Sequence, residues 1–223
     1  MARAVAPYDI LCVGDSLTAG LVQGTLNTGG YRRRLFQRLI SDPTSPLLGR
    51  PIRSIGLRTN NNNGDGVWFP NHAGVGGERI DQIQSRIAAE IATGSPKVVI
   101  LHAGMNDAVQ SYLVGTAADR LATLWQTLLD IPGVQKVYVA NIQNCKSTAT
   151  TTFNNLATIR AAIPTACAAQ IANPKSVYMT GFSTLVPDPG GFFPGDDIHP
   201  DQTNYNGTGD LIFGHFVSSP PTS

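Results

Sequence analysis

Four short stretches of this 223-residue chain carry side chains from which an acyl-transfer site could be assembled. They are Gly14-Asp15-Ser16-Leu17-Thr18-Ala19-Gly20, Gly74-Val75-Gly76-Gly77, Gly104-Met105-Asn106-Asp107 and Asp196-Asp197-Ile198-His199-Pro200. A serine hydrolase needs a hydroxyl nucleophile, a base to take its proton, a carboxylate to orient that base, and donors for the oxyanion. All of these residue types are present, together with glycines whose backbone can approach a reacting group closely. Taken singly, each stretch has an ordinary use. Gly-Asp-Ser after a strand is a common turn, Asn106-Asp107 can cap a helix, and His199-Pro200 suits any loop. The chemistry therefore depends on whether one fold brings all four together.

The elements around these stretches alternate between β-type runs and helical patterns, which predicts an α/β protein with a parallel sheet. Ile10–Val13 reads as the first strand, stopped by Gly14, and Ile52–Ile55 as the second. The run Lys97–Ala103, with Val98-Val99-Ile100-Leu101 at its heart, reads as a central strand buried on both faces. Val137–Ala140 and Ser176–Met179 complete a count of five strands. Helices are expected over Tyr31–Ile40, through Ile80, Ile83, Ile87 and Ile91, through Leu121, Leu124, Leu128 and Ile131, over Leu156–Ala169 and over Asn204–Val217. Gly56–Gly77 and Phe182–Pro200 read as long loops, and Trp68-Phe69-Pro70 argues for order in the first. The expected fold is a three-layer α/β/α sandwich, flavodoxin-like, carrying its chemistry on loops at the carboxyl ends of the strands. One domain is expected over residues 1–217, followed by a Ser/Pro-rich tail over 218–223.

Composition narrows the classes. With 42% hydrophobic residues the chain can bury a sizeable core, while 14% charged residues and a net charge of +1 supply no polyanion-binding surface. Nucleic acid is not an expected partner. No apolar run approaches the ~20 residues that span a bilayer, so no membrane partner is expected either. Cys12 lies in an apolar run and reads as a small buried hydrophobe. Cys145 and Cys167 are left open as a pair, since sequence cannot show their geometry. Low charge, abundant Asn, Thr and Gly, and the sequon Asn206-Gly207-Thr208 lean toward secretion. The start Met1–Pro7 has no continuous apolar stretch, so a secreted form would already have lost its signal peptide.

In their order and spacing, the four stretches resemble the blocks of the SGNH hydrolases, the GDSL esterase and lipase superfamily, across nearly the whole chain. The resemblance implies that Ser16 is the nucleophile, His199 the base and Asp196 the orienting carboxylate. It implies an oxyanion hole made by the N–H groups of Ser16 and Gly77 and the side-chain amide of Asn106. The glycine block is the loosest match, because Gly74, Gly76 and Gly77 all compete. Gly77 is preferred because the family glycine lies where the next helix begins. Asp197 stands where the family often has a small residue and is the rival carboxylate. The chemistry is coherent on its own terms: His199 would accept the hydroxyl proton and return it to the leaving alcohol, while Asp196 stabilises the imidazolium.

Competing signatures fail. Thr18 stands where a nucleophile elbow needs glycine, and Gly74-Val75-Gly76-Gly77 lacks both a dinucleotide fingerprint and a P-loop lysine. His72, His102, His199 and His215 show no metal spacing, so no metal is expected, and the hydrolysis that the resemblance implies needs no cofactor; His102 and His215 read as structural. Arg32-Arg33-Arg34 with Arg38 reads as a solvated helix face, with one arginine available as a buried anchor. Within the superfamily the chain looks most like the acetylxylan esterases of carbohydrate esterase family 3. The features are Gly29-Gly30-Tyr31-Arg32, His72 ahead of the glycine block, and Arg79-Ile80-Asp81-Gln82-Ile83. That likeness implies deacetylation of xylan or xylo-oligosaccharides through an acyl-serine, so the expected partner is a small-molecule or polysaccharide ester. The alternatives are a short-chain carboxylesterase or lysophospholipase of the same fold and, from another class, a non-catalytic ligand-binding domain. Trp68 and Phe69 read as core first and as sugar-stacking rings second.

Overall fold

A computed structural model of the chain describes residues 6–21, 29–59, 69–188 and 190–222. The first apolar run forms β1 (Tyr8–Gly14), buried along its whole length. It is followed by α1 (Ser16–Ala19), α2 (Gly30–Ser41), β2 (Ile52–Ile55), β3 (Arg58–Thr59) and β4 (Asn71–Gly74). Next come α3 (Ile80–Ile91), β5 (Val98–His102), α4 (Met105–Val109), α5 (Ala117–Leu129) and β6 (Lys136–Ala140). The chain closes with α6 (Thr150–Ala166), α7 (Ala168–Ile171), β7 (Ser176–Met179), α8 (Phe182–Leu185) and α9 (Gln202–Ser218).

The five expected strands stand side by side and parallel, in the order β2-β1-β5-β6-β7. That is the 2-1-3-4-5 order of a flavodoxin-like sheet. The sheet holds two further strands, both inside the segment expected as a loop from Gly56 to Gly77. β2 pairs with β1 only from Tyr8 to Leu11, which leaves the last residues of β1 open on that side. β4 fills the gap, with Ala73 beside Val13 and Gly74 beside Gly14, and β3 runs antiparallel to it. Backbone groups at the buried end of β1 need partners, and β4 supplies them. Trp68 lies outside the described residues. Phe69 packs on the core with its ring 4.9 Å from that of Phe36, the core reading rather than the sugar-stacking one.

Helices cover both faces. Trp125 of α5 lies against β7, its Nε1 donating to Ser176 Oγ at 3.1 Å, while Tyr138 of β6 points the other way and stacks on Phe216 of α9 at 4.2 Å. The period of the isoleucines explains α3: Ile80, Ile83 and Ile87 are fully buried, each worth ~1.5–3 kcal/mol. Ile91 is only half-buried. Glu90 is buried in its stead, its carboxylate held by Arg86 at 2.8 Å and by the Leu57 N–H at 2.7 Å.

Other expectations shift at element ends. Ile131 falls beyond the end of α5, the helix expected from Leu156 begins at Thr150 and breaks at Cys167, and the Phe182–Pro200 loop contains α8. Cys12 is buried as expected, and Cys145 and Cys167 are buried free thiols rather than a pair. The sequon sits within α9, where Thr208 is buried with its hydroxyl bonded to the Asn204 carbonyl at 3.0 Å, so it is not on an exposed loop. Of the arginine cluster, Arg32 is the buried anchor, while Arg34 and Arg38 each pair with Asp210 of α9 at 2.8 Å. Among the described residues no helix is long and apolar enough to cross a membrane.

Candidate active site

Ser16 opens α1 directly after β1. Asp15 caps that short helix, one carboxylate oxygen accepting from the Leu17 N–H at 2.9 Å. Gly14 is required by space: a Cβ there would sit 2.2 Å from the His102 carbonyl and 2.3 Å from Thr18 Oγ1. The far end of α1 is held by Arg32, whose Nε donates to the Thr18 carbonyl at 2.7 Å and whose Nη2 reaches the Ala19 carbonyl at 3.4 Å. A buried arginine thus neutralises the helix carbonyls and fixes the turn that presents Ser16.

The loop ahead of α9 brings the base. His199 Nε2 lies 2.8 Å from Ser16 Oγ, and His199 Nδ1 lies 2.7 Å from Asp196 Oδ2. The other oxygen of Asp196 accepts from the N–H groups of Ile198 and His199 at 2.8 and 2.9 Å. Partial burial opposes ionisation of Asp196, but those two N–H groups and the imidazole outweigh it and hold the carboxyl below the usual range. Asp197 points elsewhere, with more than half of its side chain exposed and Lys146 Nζ 3.4 Å away. Of the two neighbouring aspartates, Asp196 is the one whose side chain meets His199. Where Nδ1–H donates to Asp196, Nε2 is the ring nitrogen turned to the Ser16 hydroxyl.

The other residues expected as oxyanion donors lie on two further segments. Asn106, in the first turn of α4, donates from Nδ2 to the Glu78 carbonyl at 3.1 Å. Gly77 adopts φ +79°, where a side chain is strained, and its carbonyl accepts from Gln110 Nε2 at 2.8 Å. Of its rivals, Gly74 is excluded as an oxyanion donor because its N–H already donates to His72 Nδ1 at 3.0 Å. A Cβ on Gly76 would stand 3.8 Å from Ser16 Cβ, so this loop runs beside the serine. Alongside lies a cleft of about 340 Å³ lined by Ala19, His72, Gly74, Val75 and Gly76, with Leu57, Arg58 and Thr59 at its edge. Burial, reinforced by Arg32, Arg58 and Arg86, pushes His72 down to about 2, so it forms a neutral wall. His102 is held neutral in the same way, its burial pushing it down to about 4.

Sequence reasoning missed two residues that pin the site. Gln143 Nε2 donates to the Ile198 carbonyl at 3.1 Å, clamping the loop that carries His199, and Gln110 clamps Gly77. Neither lies in a motif, and polar residues in loops carry no periodic signal.

Residues 12–205 match the GDSL-like Lipase/Acylhydrolase family. No curated protein matches the chain in sequence. Among solved structures, a family 3 carbohydrate esterase from Clostridium thermocellum is similar at 22% identity and a TM-score of 0.70, covering 96% of each chain. A carbohydrate esterase of family 3 from Talaromyces cellulolyticus is similar at 18% identity and a TM-score of 0.69, covering 95% of this chain and 97% of the other. An acetyl xylan esterase from Geobacillus stearothermophilus is similar at 15% identity and a TM-score of 0.66, covering 97% of each. At such identities the likeness is one of fold. The family match is different in kind, because it runs along the sequence through all four stretches, and so the chain belongs to the GDSL-like lipase/acylhydrolase family.

Proposed function

We propose that this protein is a serine esterase that removes acetyl groups from acetylated xylan or xylo-oligosaccharides. The observation that carries the esterase reading is the unbroken relay from Asp196 through His199 to Ser16, with links of 2.7 and 2.8 Å. In this mechanism His199 Nε2 accepts the proton of Ser16 as Oγ attacks the ester carbonyl. The oxyanion meets the N–H groups of Ser16 and Gly77 and the amide of Asn106, where one such donor is typically worth ~3–4 kcal/mol. Collapse of the tetrahedral intermediate expels the alcohol, which takes the proton from His199 and leaves an acyl-serine. Water, deprotonated by the same imidazole, then releases the acid and restores Ser16. No step needs a cofactor.

The acetyl-sugar substrate is supported by the similar structures that carry acetyl xylan and carbohydrate esterase names. A ligand-binding module would have no use for a base and a carboxylate aligned on a serine. The test is acetate release from acetylated xylan beside a 4-nitrophenyl ester series of rising acyl length. Acetyl esters should be preferred, because a pocket that excludes methylenes loses ~1–3 kcal/mol for each. A higher kcat/KM on octanoyl esters would replace this substrate with the longer lipids of a lysophospholipase.

A further inference from the structure

The relay moves the proton, but nothing in it holds the oxyanion donors against the nucleophile. Besides the Val75 N–H donating to the Gly14 carbonyl at 3.2 Å, one such connection runs through Arg86, midway along α3 and away from the four sequence stretches. Its Nε donates to Glu78 Oε2 at 2.6 Å and its Nη1 to Glu90 Oε1 at 2.8 Å. Its Nη2 reaches two backbone carbonyls, Ala73 at 3.0 Å and Gly14 at 3.3 Å. Gly14 ends β1 and leads into Ser16, whereas Ala73 lies in β4, which leads to Gly77. Glu78 follows Gly77 in the chain, and its own carbonyl accepts the Asn106 amide.

We propose that Arg86 is a positioning residue for the oxyanion hole: through Glu78 it holds the Gly77 loop, and with it Asn106, in register with Ser16 at the end of β1. This rests on the reading above that Gly77 and Asn106 are oxyanion donors. A guanidinium suits the task because its planar fork can serve a carboxylate on each side and two carbonyls at once, which a lysine ammonium on one flexible stem does not. Arg86 also neutralises the buried Glu90, so loss of stability alone on mutating Arg86 would say nothing about catalysis. The informative cut is at Glu78, which leaves the Arg86–Glu90 pair in place.

The experiment measures kcat and KM on 4-nitrophenyl acetate, with melting temperature as the check of folding, for Glu78→Ala, Glu78→Gln, Arg86→Lys and Asn106→Ala, and for Glu78→Ala combined with Asn106→Ala. Glu78→Ala should lower kcat about tenfold with KM little changed, since small misplacements of preorganised groups cost that much or more. Glu78→Gln still offers an oxygen to Arg86 Nε and should recover most of the loss. Arg86→Lys should resemble Glu78→Ala; if it unfolds, the Glu78 pair carries the test. In the Asn106→Ala background Glu78→Ala should cost far less, because the donor geometry it disturbs is already broken. The proposal is overturned if Glu78→Ala leaves kcat unchanged, if it acts on KM instead, if Glu78→Gln is equally impaired, or if the losses simply add. Failure of the underlying reading shows separately, as an Asn106→Ala single variant with undiminished kcat.

Discussion

Ser16 and His199 are 183 positions apart in the chain, yet their side chains meet at 2.8 Å because two loops share one end of the sheet. Ser16→Ala should therefore reduce ester turnover by several decades while leaving the melting temperature close to that of the wild type, as is usual for triad members. Retention of more than about a tenth of wild-type turnover would remove Ser16 as nucleophile. The adjacent aspartates give a sharper comparison. Asp196→Asn removes the charge that stabilises the imidazolium, so kcat should fall by up to ~10⁴-fold, whereas Asp197→Asn removes only an exposed pair with Lys146 and should stay near wild type. The same group leaves a signature in stability. Because the folded Asp196 carboxyl ionises below its usual range, it contributes stability that is present above the unfolded value near ~3.9 and is lost as pH falls through the folded value. Chemical denaturation between pH 6 and pH 3 should show a shallower acid loss in Asp196→Asn than in the wild type. Equal acid slopes would contradict the environment described for Asp196.

At the scale of elements, the site depends on loops being held rather than merely connected. The His199 loop is tied down by Gln143, by the Lys146 N–H donating to the Asp197 carbonyl at 2.8 Å, and by the bridge between Phe192 and Pro200. Gln143 is buried, and its Oε1 finds no partner among the described residues. A buried unsatisfied acceptor costs ~1–3 kcal/mol, so its presence is explained by what the other end of the amide does. Gln143→Leu should consequently separate stability from activity. The melting temperature should hold or rise, while kcat falls about tenfold as the Ile198 carbonyl is released and His199 loses its alignment. Loss of both together would mean that Gln143 serves packing rather than the loop.

For the whole molecule, Asp15 is a fully buried carboxyl whose ionisation couples to folding. It caps α1 with one oxygen, and the second has no partner among the described residues. Burial pushes its carboxyl up to about 7, with the negative charges of Asp107 and Glu78 adding to the rise and the Leu17 N–H opposing it. A carboxyl that holds its proton more tightly when folded contributes fully below the unfolded value near ~3.9, and that contribution is lost as pH rises through the folded value. Asp15→Asn preserves a good cap but cannot ionise. Relative to wild type it should gain stability at pH 8, on the order of 1–3 kcal/mol, and much less at pH 5. Unfolding midpoints at the two pH values decide this: an equal difference at both would mean that Asp15 does not change its ionisation on folding.

What the residues determine by themselves is whatever local periodicity and short-range chemistry encode. The runs at Ile10–Val13, Ile52–Ile55 and Ser176–Met179 are strands because apolar β-formers are bounded by turn residues, and the isoleucines of α3 mark its buried face one turn at a time. The four stretches themselves are also legible, since each keeps its chemistry within a few positions. Tertiary structure alone decided the rest. The resemblance favours Asp196 and leaves Asp197 as its rival, whereas the packed loops put Lys146 beside Asp197 and His199 beside Asp196. A glutamate stands in the core in place of an isoleucine because Arg86 and the Leu57 N–H meet it there. β4 is a strand because the upper end of β1 has backbone groups to pair, not because Asn71-His72-Ala73-Gly74 favours extension. In each case a group from elsewhere in the chain takes part, Lys146 beside Asp197, the Leu57 N–H on Glu90 and β1 beside β4, and no spacing within one stretch announces such a partner.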